Sequence, residues 1–123
     1  MIDKEGILVS IKKLLNIDLE DMSFDTDIVV LINGEFMTLQ QLGIGPEEGF
    51  SLDEADAYAK NWSDFSDDPF LLDSVKTYVY MRVRMIFDPP ASSVVADAIN
   101  GRIAELTWRL NVWAEQHTGG DET

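Results

Sequence analysis

The side chains with most capacity for chemistry in this sequence are carboxylates, and they fall in two clusters. Asp53-Glu54-Ala55-Asp56 and Asp64-Phe65-Ser66-Asp67-Asp68 offer oxygen ligands of the kind that suits calcium or magnesium. The first lacks the turn glycine and closing glutamate of a calcium-binding loop. The second runs into a helix start, where Asp is wanted for capping and for the helix dipole. Both therefore read as solvated acids and caps. A metal-dependent helical hydrolase needs inward carboxylates three or four residues apart on facing helices, whereas Glu35 and Glu105, the mid-helix candidates, each stand alone. Cysteine is absent and His117 is the single histidine. This removes thiolate nucleophiles and imidazole-rich metal sites and serves a Ser-His-Asp triad poorly. Gly43-Ile44-Gly45-Pro46 leaves a helix instead of opening one and is not followed by Lys-Ser/Thr, so it reads as a helix stop and not as a phosphate cradle. The expectation is a protein without catalytic residues, cofactor or metal.

Residues suited to recognition are more telling. Trp108 and Trp113 are five apart on a predicted helix and point in different directions, so one core cannot easily take both and one is available to a partner. Interface hot spots favour Trp and Arg, which adds Arg109 to that end of the helix. Arg102, Glu105 and Arg109 also have the three-and-four spacing of a solvated ion-pair ladder. Arg82 and Arg84 are two apart, about 200° around a helix, and cannot share one solvent face. They read either as arginines snorkelling at the edges of a core helix, or as one of them pairing with an acid on the last helix or on a second chain. His117 reads as a polar tail residue.

These side chains must be positioned by one small domain. The chain has 123 residues and 46% apolar content with six Phe, three Tyr and three Trp, enough for a core but not for two. Acids outnumber bases 23 to 9, a net charge of -14, which repels phosphate backbones and anionic lipid and disfavours a generic nucleic-acid binder. Residues 1–68 hold sixteen acids against four lysines, net -12, and residues 69–123 hold seven acids against five bases, net -2, so one end or face is expected to be strongly acidic. No apolar run reaches the roughly 20 residues that span a bilayer. Met1-Ile2-Asp3-Lys4-Glu5 lacks the basic start and apolar stretch of a signal peptide, so the protein is expected to be soluble and made inside the cell.

Spacing and punctuation predict an all-α fold, a small bundle of about four helices. The first, about residues 3–15, carries Ile7, Leu8, Ile11, Leu14 and Leu15 on one stripe, with Lys12 and Lys13 near its C-terminal end where cations suit the dipole. The second, about 25–42, is capped by Asp25 or Thr26 and aligns Ile28, Leu31, Ile32, Phe36, Leu39 and Leu42 before Gly43. Gly34 within it marks a possible close helix approach. The third, about 69–87, has Asp68 as N-cap and Pro69 at its first position. Twelve of its eighteen residues from Phe70 to Phe87 are apolar or aromatic, so it must be covered on several sides, as the central helix or by a neighbouring subunit. The fourth, about 93–116, follows Ser92 or Ser93 with Val95, Ala98, Ile99, Ile103, Leu106, Leu110 and Trp113 at helical spacing. Between the second and third, Ser51 and Glu54 allow a capping box and a short helix with Trp62 inward, while Phe50/Leu52 alternation allows a loop or short β-hairpin, the reading favoured here. Residues 1–116 form the single helical domain, and 117–123 a flexible C-terminal tail.

Several stretches then carry a resemblance: Phe24-Asp25-Thr26-Asp27; Gln41-Leu42-Gly43-Ile44-Gly45-Pro46-Glu47-Glu48-Gly49-Phe50; Val75 to Arg84 leading to Phe87-Asp88-Pro89-Pro90; and Ile103-Ala104-Glu105-Leu106-Thr107-Trp108-Arg109-Leu110-Asn111-Val112. Over about residues 7–116 the chain resembles the head–tail connector (adaptor) proteins of tailed bacteriophages. The resemblance implies an α-helical virion protein that assembles, commonly as a twelve-membered ring, beneath the portal protein and joins the DNA-filled capsid to the tail. It implies no catalysis and no cofactor. On that reading Arg82, Arg84, Trp108, Arg109 and Trp113 are candidates for the subunit or portal interface. Glu47, Glu48, Asp53, Glu54 and Asp56 are candidates for an acidic channel wall past which DNA slides without specific binding. Expected partners are further copies of the chain, the portal and the next tail-side protein, with no membrane. The alternative, an acidic protein that imitates DNA and occupies a host nucleic-acid enzyme, needs a stripe of acids at phosphate-like spacing, and the second helix supplies only Asp25, Asp27 and Glu35.

Overall fold

The structure, a computed structural model, describes residues 6–118. The expected start of the first helix near Asp3 and the tail beyond residue 118 lie outside the described residues. The element order is α1 (Ile7–Leu14), α2 (Asp25–Gln41), a 3₁₀ turn (Glu54–Asp56), α3 (Trp62–Phe65), α4 (Pro69–Phe87) and α5 (Ser93–Thr118). The fold is a small all-α bundle with no strand among the described residues.

Each long helix follows from its local sequence. In α1, Ile7, Leu8, Ile11 and Leu15 turn inward, and the helix closes where Asn16 adopts φ 64°, a left-handed conformation that Asn tolerates. Leu14, expected in the stripe, is exposed, and Lys12 is buried in its place. α2 buries Ile28, Val29, Ile32, Phe36 and Leu39. It stops at Gly43, φ 87°, and the chain turns again at Gly45, φ 96°, where a Cβ would lie 2.6 Å from the Phe65 ring. Only glycine fits that contact. Gly34, by contrast, faces open space, so the expected close helix approach does not occur there.

α4 is central, packing against α2, α3 and α5. Its N-terminus is as expected: Pro69 occupies the first turn, and Asp68 Oδ1 accepts from the N–H groups of Phe70 and Leu71 at 3.0 and 3.3 Å. α5 runs back along α4 through Leu106, Leu110 and Ala114. Val95 and Ala98, expected on its buried stripe, are exposed, and Ile99 and Ile103 are half-buried, because burial concentrates in the C-terminal half of the helix. The helix also continues through His117, the first residue of the segment expected as a tail.

The segment between α2 and α3 is mostly loop, as one of the two expected forms had it, and makes neither the hairpin nor a helix capped by Ser51. Asn33 on α2 receives the Leu52 N–H on Oδ1 at 2.7 Å and donates Nδ2 to the Leu52 carbonyl at 2.9 Å, occupying the backbone groups that a hairpin would pair. Further on, the Ile7 N–H donates to the Lys60 carbonyl at 3.0 Å beside an isolated bridge between Gly6 and Asn61. The segment is thus a strap tied to α2 at one end and α1 at the other. Trp62 then enters the core, its Nε1 donating to Ser10 Oγ at 2.8 Å, and Phe36 gathers Phe50, Phe65 and Trp62 with ring centroids 5.0, 5.2 and 6.3 Å away.

Candidate assembly interface

Beneath the strap lies a polar cluster that composition alone does not reveal. Lys12, with no exposed surface, forms an ion pair with Asp25 Oδ1 at 2.8 Å and donates to Tyr58 Oη at 2.9 Å and to the Asp21 carbonyl at 2.7 Å. Tyr58 Oη in turn donates to Asp25 Oδ2 at 2.6 Å. Burial pulls the Lys12 pKa down, but the hydrogen bonds and charges of Asp25 and Tyr58 more than offset this and hold it above its ordinary value. The Tyr58 phenol is pushed up by burial and then by Asp25. Asp25, expected as a helix cap, instead occupies the first turn of α2 and serves this cluster; Phe24 precedes it with no side-chain cap. The signal was present, since Lys12 is four residues after Leu8 and so falls on the buried stripe.

Above the cluster a groove of about 590 Å³ opens between the N-terminal turn of α2 and the strap. Met22, Val29, Ala55 and Tyr58 line it, with Glu54 and Asp56 among its acids. The five acids expected at a channel wall, Glu47, Glu48, Asp53, Glu54 and Asp56, are all exposed on the connection between α2 and α3. Asp53 also caps the 3₁₀ turn, accepting from the Ala55 N–H at 3.1 Å. Among the described residues no group of three or more His, Asp or Glu is placed to hold a metal ion.

The arginines divide. Arg82 Nε donates to Glu35 Oε1 at 3.0 Å, so its partner within the chain lies on α2 and not on the last helix. Glu35 and then burial act on Arg82 in opposite senses, and the pairing prevails, raising its pKa. Arg84 donates to Tyr80 Oη at 3.2 Å. On α5, Arg102 and Arg109 both reach Glu105, the ladder expected from spacing. The two tryptophans separate as the helix geometry requires. Trp113 is half-buried, with Nε1 3.4 Å from Asp68 Oδ2 and its ring stacked on His117 at 3.9 Å. His117 is therefore a helical residue with an aromatic partner. Trp108 is 66% exposed and is the one left available.

No described helix is long and apolar enough to cross a membrane. Residues 7–117 match the family model described as phage connector protein, and the chain belongs to that family. Membership makes it a structural phage protein with a connector role. No curated protein and no solved structure matches it.

Proposed function

We propose that the chain is a head–tail connector subunit that forms a ring, commonly of twelve copies in such assemblies, beneath the portal and joins the DNA-filled capsid to the tail. The observation that carries this is the family match across 7–117. The exposed Trp108 and the neighbouring Arg109 support it as contact residues, with Arg82, Arg84 and Trp113 nearer the core of the α4–α5 pair. Its partners are other copies of itself, the portal protein and the next tail-side protein, and it is made in the host cytoplasm and resides at the capsid–tail junction. The chain needs no cofactor and performs no catalysis in this role. DNA passes without specific binding, and Glu47, Glu48, Asp53, Glu54 and Asp56 form part of a wall that repels phosphate.

The test is an affinity pull-down of a tagged copy from cells producing the phage, with mass spectrometry of bound proteins and electron microscopy of labelled particles. Portal and tail proteins, with label at the capsid vertex, are the expected result. Capture of a host polymerase or nuclease without virion proteins would overturn the proposal in favour of an acidic DNA mimic. For the wall, Glu47→Lys, Glu48→Lys and Asp53→Lys together should slow genome release, and unchanged ejection would remove the assignment.

A further inference from the structure

We infer that Asn100, followed by Gly101 on the exposed first half of α5, is a site of spontaneous covalent modification, where the side-chain amide is lost as ammonia and the residue becomes aspartate or isoaspartate. The tripeptide Ile-Asn-Gly occurs twice, as Ile32-Asn33-Gly34 and Ile99-Asn100-Gly101, and the fold treats the two copies oppositely. In the reaction the glycine backbone nitrogen gives its proton to solvent base and bonds to the asparagine Cγ. The Cγ–Nδ2 bond breaks, Nδ2 takes up a proton and leaves as ammonia, and water opens the five-membered imide at either carbonyl. Water is consumed and ammonia released, with no oxidant or reductant. A following glycine favours ring closure because it has no Cβ to crowd the ring. A helix opposes it, since the attacking N–H is held by the carbonyl four residues back. Local opening of the helix therefore gates the reaction.

Asn33 is locked. Its Oδ1 accepts from the Leu52 N–H at 2.7 Å, its Nδ2 donates to the Leu52 carbonyl at 2.9 Å, and the buried Ile32 and Phe36 hold the same turns of α2 in the core. Reaction there requires both the strap and a core helix to open. Asn100 has no such restraint: it is exposed, and its side chain bonds no other described residue. From Ser93 to Glu105 no residue of α5 is buried, and Leu106 is the first that is. A stretch of that length is marginal as a helix in water without packing, and Gly101 weakens it further. Its first turn is tied loosely, with the Val95 nitrogen 3.4 Å from Ser92 Oγ. Gly34 and Gly101 both face open space, so access to the glycine does not separate the two sites. The first turns of α5 thus open at low free energy while Leu106, Leu110 and Ala114 keep the rest of the helix on α4. Conversion adds a negative charge to a chain already at -14, and isoaspartate adds a main-chain carbon that interrupts the helix ladder.

The test incubates the purified chain in mildly alkaline buffer, folded and in parallel in denaturant, and follows the peptides around both sites by mass spectrometry with fragmentation that separates aspartate from isoaspartate. In denaturant the two sites are expected to convert at similar rates, because each is an asparagine between isoleucine and glycine. In the folded chain Asn100 should convert at least about tenfold faster than Asn33, the difference reporting how much more readily α5 opens at its start. Ala104→Gly, an exposed change within the same half of the helix, should speed conversion at Asn100 about fivefold in the folded chain and leave the rate in denaturant unchanged. Equal rates at the two sites of the folded chain would overturn the inference. So would an Asn100 that converts in denaturant and stays intact when folded, or an Ala104→Gly chain whose folded rate does not rise.

Discussion

Lys12 shows how one side chain can decide a local structure. A buried cation is tolerated only when its charge and its N–H donors are matched, and here Asp25, Tyr58 and the Asp21 carbonyl do this together. Lys12→Ala leaves Asp25 without its counter-ion and is expected to cost about 3 kcal/mol, measured by denaturant unfolding. Lys12, Tyr58 and the core residue Tyr78, whose phenol burial likewise pushes up, all have raised pKa values. Raised values mean that their contribution is fully present below the unfolded-state values, about 10 for Tyr and Lys, and is lost as pH rises through the folded ones. Unfolding midpoints should therefore fall in the alkaline range above about pH 10, and Tyr58→Phe should weaken that dependence. A fall centred near neutral pH would contradict this. Residue types told only part of this story. The lone histidine and absent cysteines were legible, but Lys12 read as a dipole cation, because its acid lies 13 residues on and its phenol 46 residues on, and spacing along a helix carries no information across such separations.

At the scale of elements, the legible parts were those governed by local rules. The N-terminus of α4, with Asp68 and Pro69, and the end of α2 at Gly43 follow from capping and turn chemistry within a few residues. The strap was not legible, since its course is set by Asn33 on α2 and by Gly6 and Ile7 beside α1, partners distant in sequence. The overlong apolar stripe assigned to α5 failed for a related reason: periodicity gives a face but not how far along the helix a neighbour extends. Two glycines test the packing directly. Gly34 and Gly101 sit in helix interiors with open space where a Cβ would go, so Gly34→Ala and Gly101→Ala should each stabilise the protein by about 0.5–1 kcal/mol in thermal melts. Gly45→Ala should do the reverse, because the new methyl would meet Phe65 at a positive φ. Asp68→Ala removes a cap and the acceptor beside Trp113 and should cost about 1 kcal/mol, with a change in Trp fluorescence that a cap alone would not produce.

For the molecule as a whole, charge is the dominant feature. A net charge of -14 on 123 residues makes the folded chain repel itself and its copies, and salt screens both effects. The melting temperature should rise between low salt and about 0.15 M, where the screening length falls to about 8 Å. A melting temperature independent of salt would show that the acids are already compensated.

The strap has a further consequence for the order in which the chain closes. α4 and α5 adjoin in sequence and can pair as a helical hairpin early, whereas the tie between Lys12 and Tyr58 closes over 46 residues and must wait until α1 and α2 have met. What forms last over few contacts is also what opens first, so the backbone amides of Ala55 and Ala59 should exchange with solvent in a local opening that leaves the α4–α5 hairpin protected.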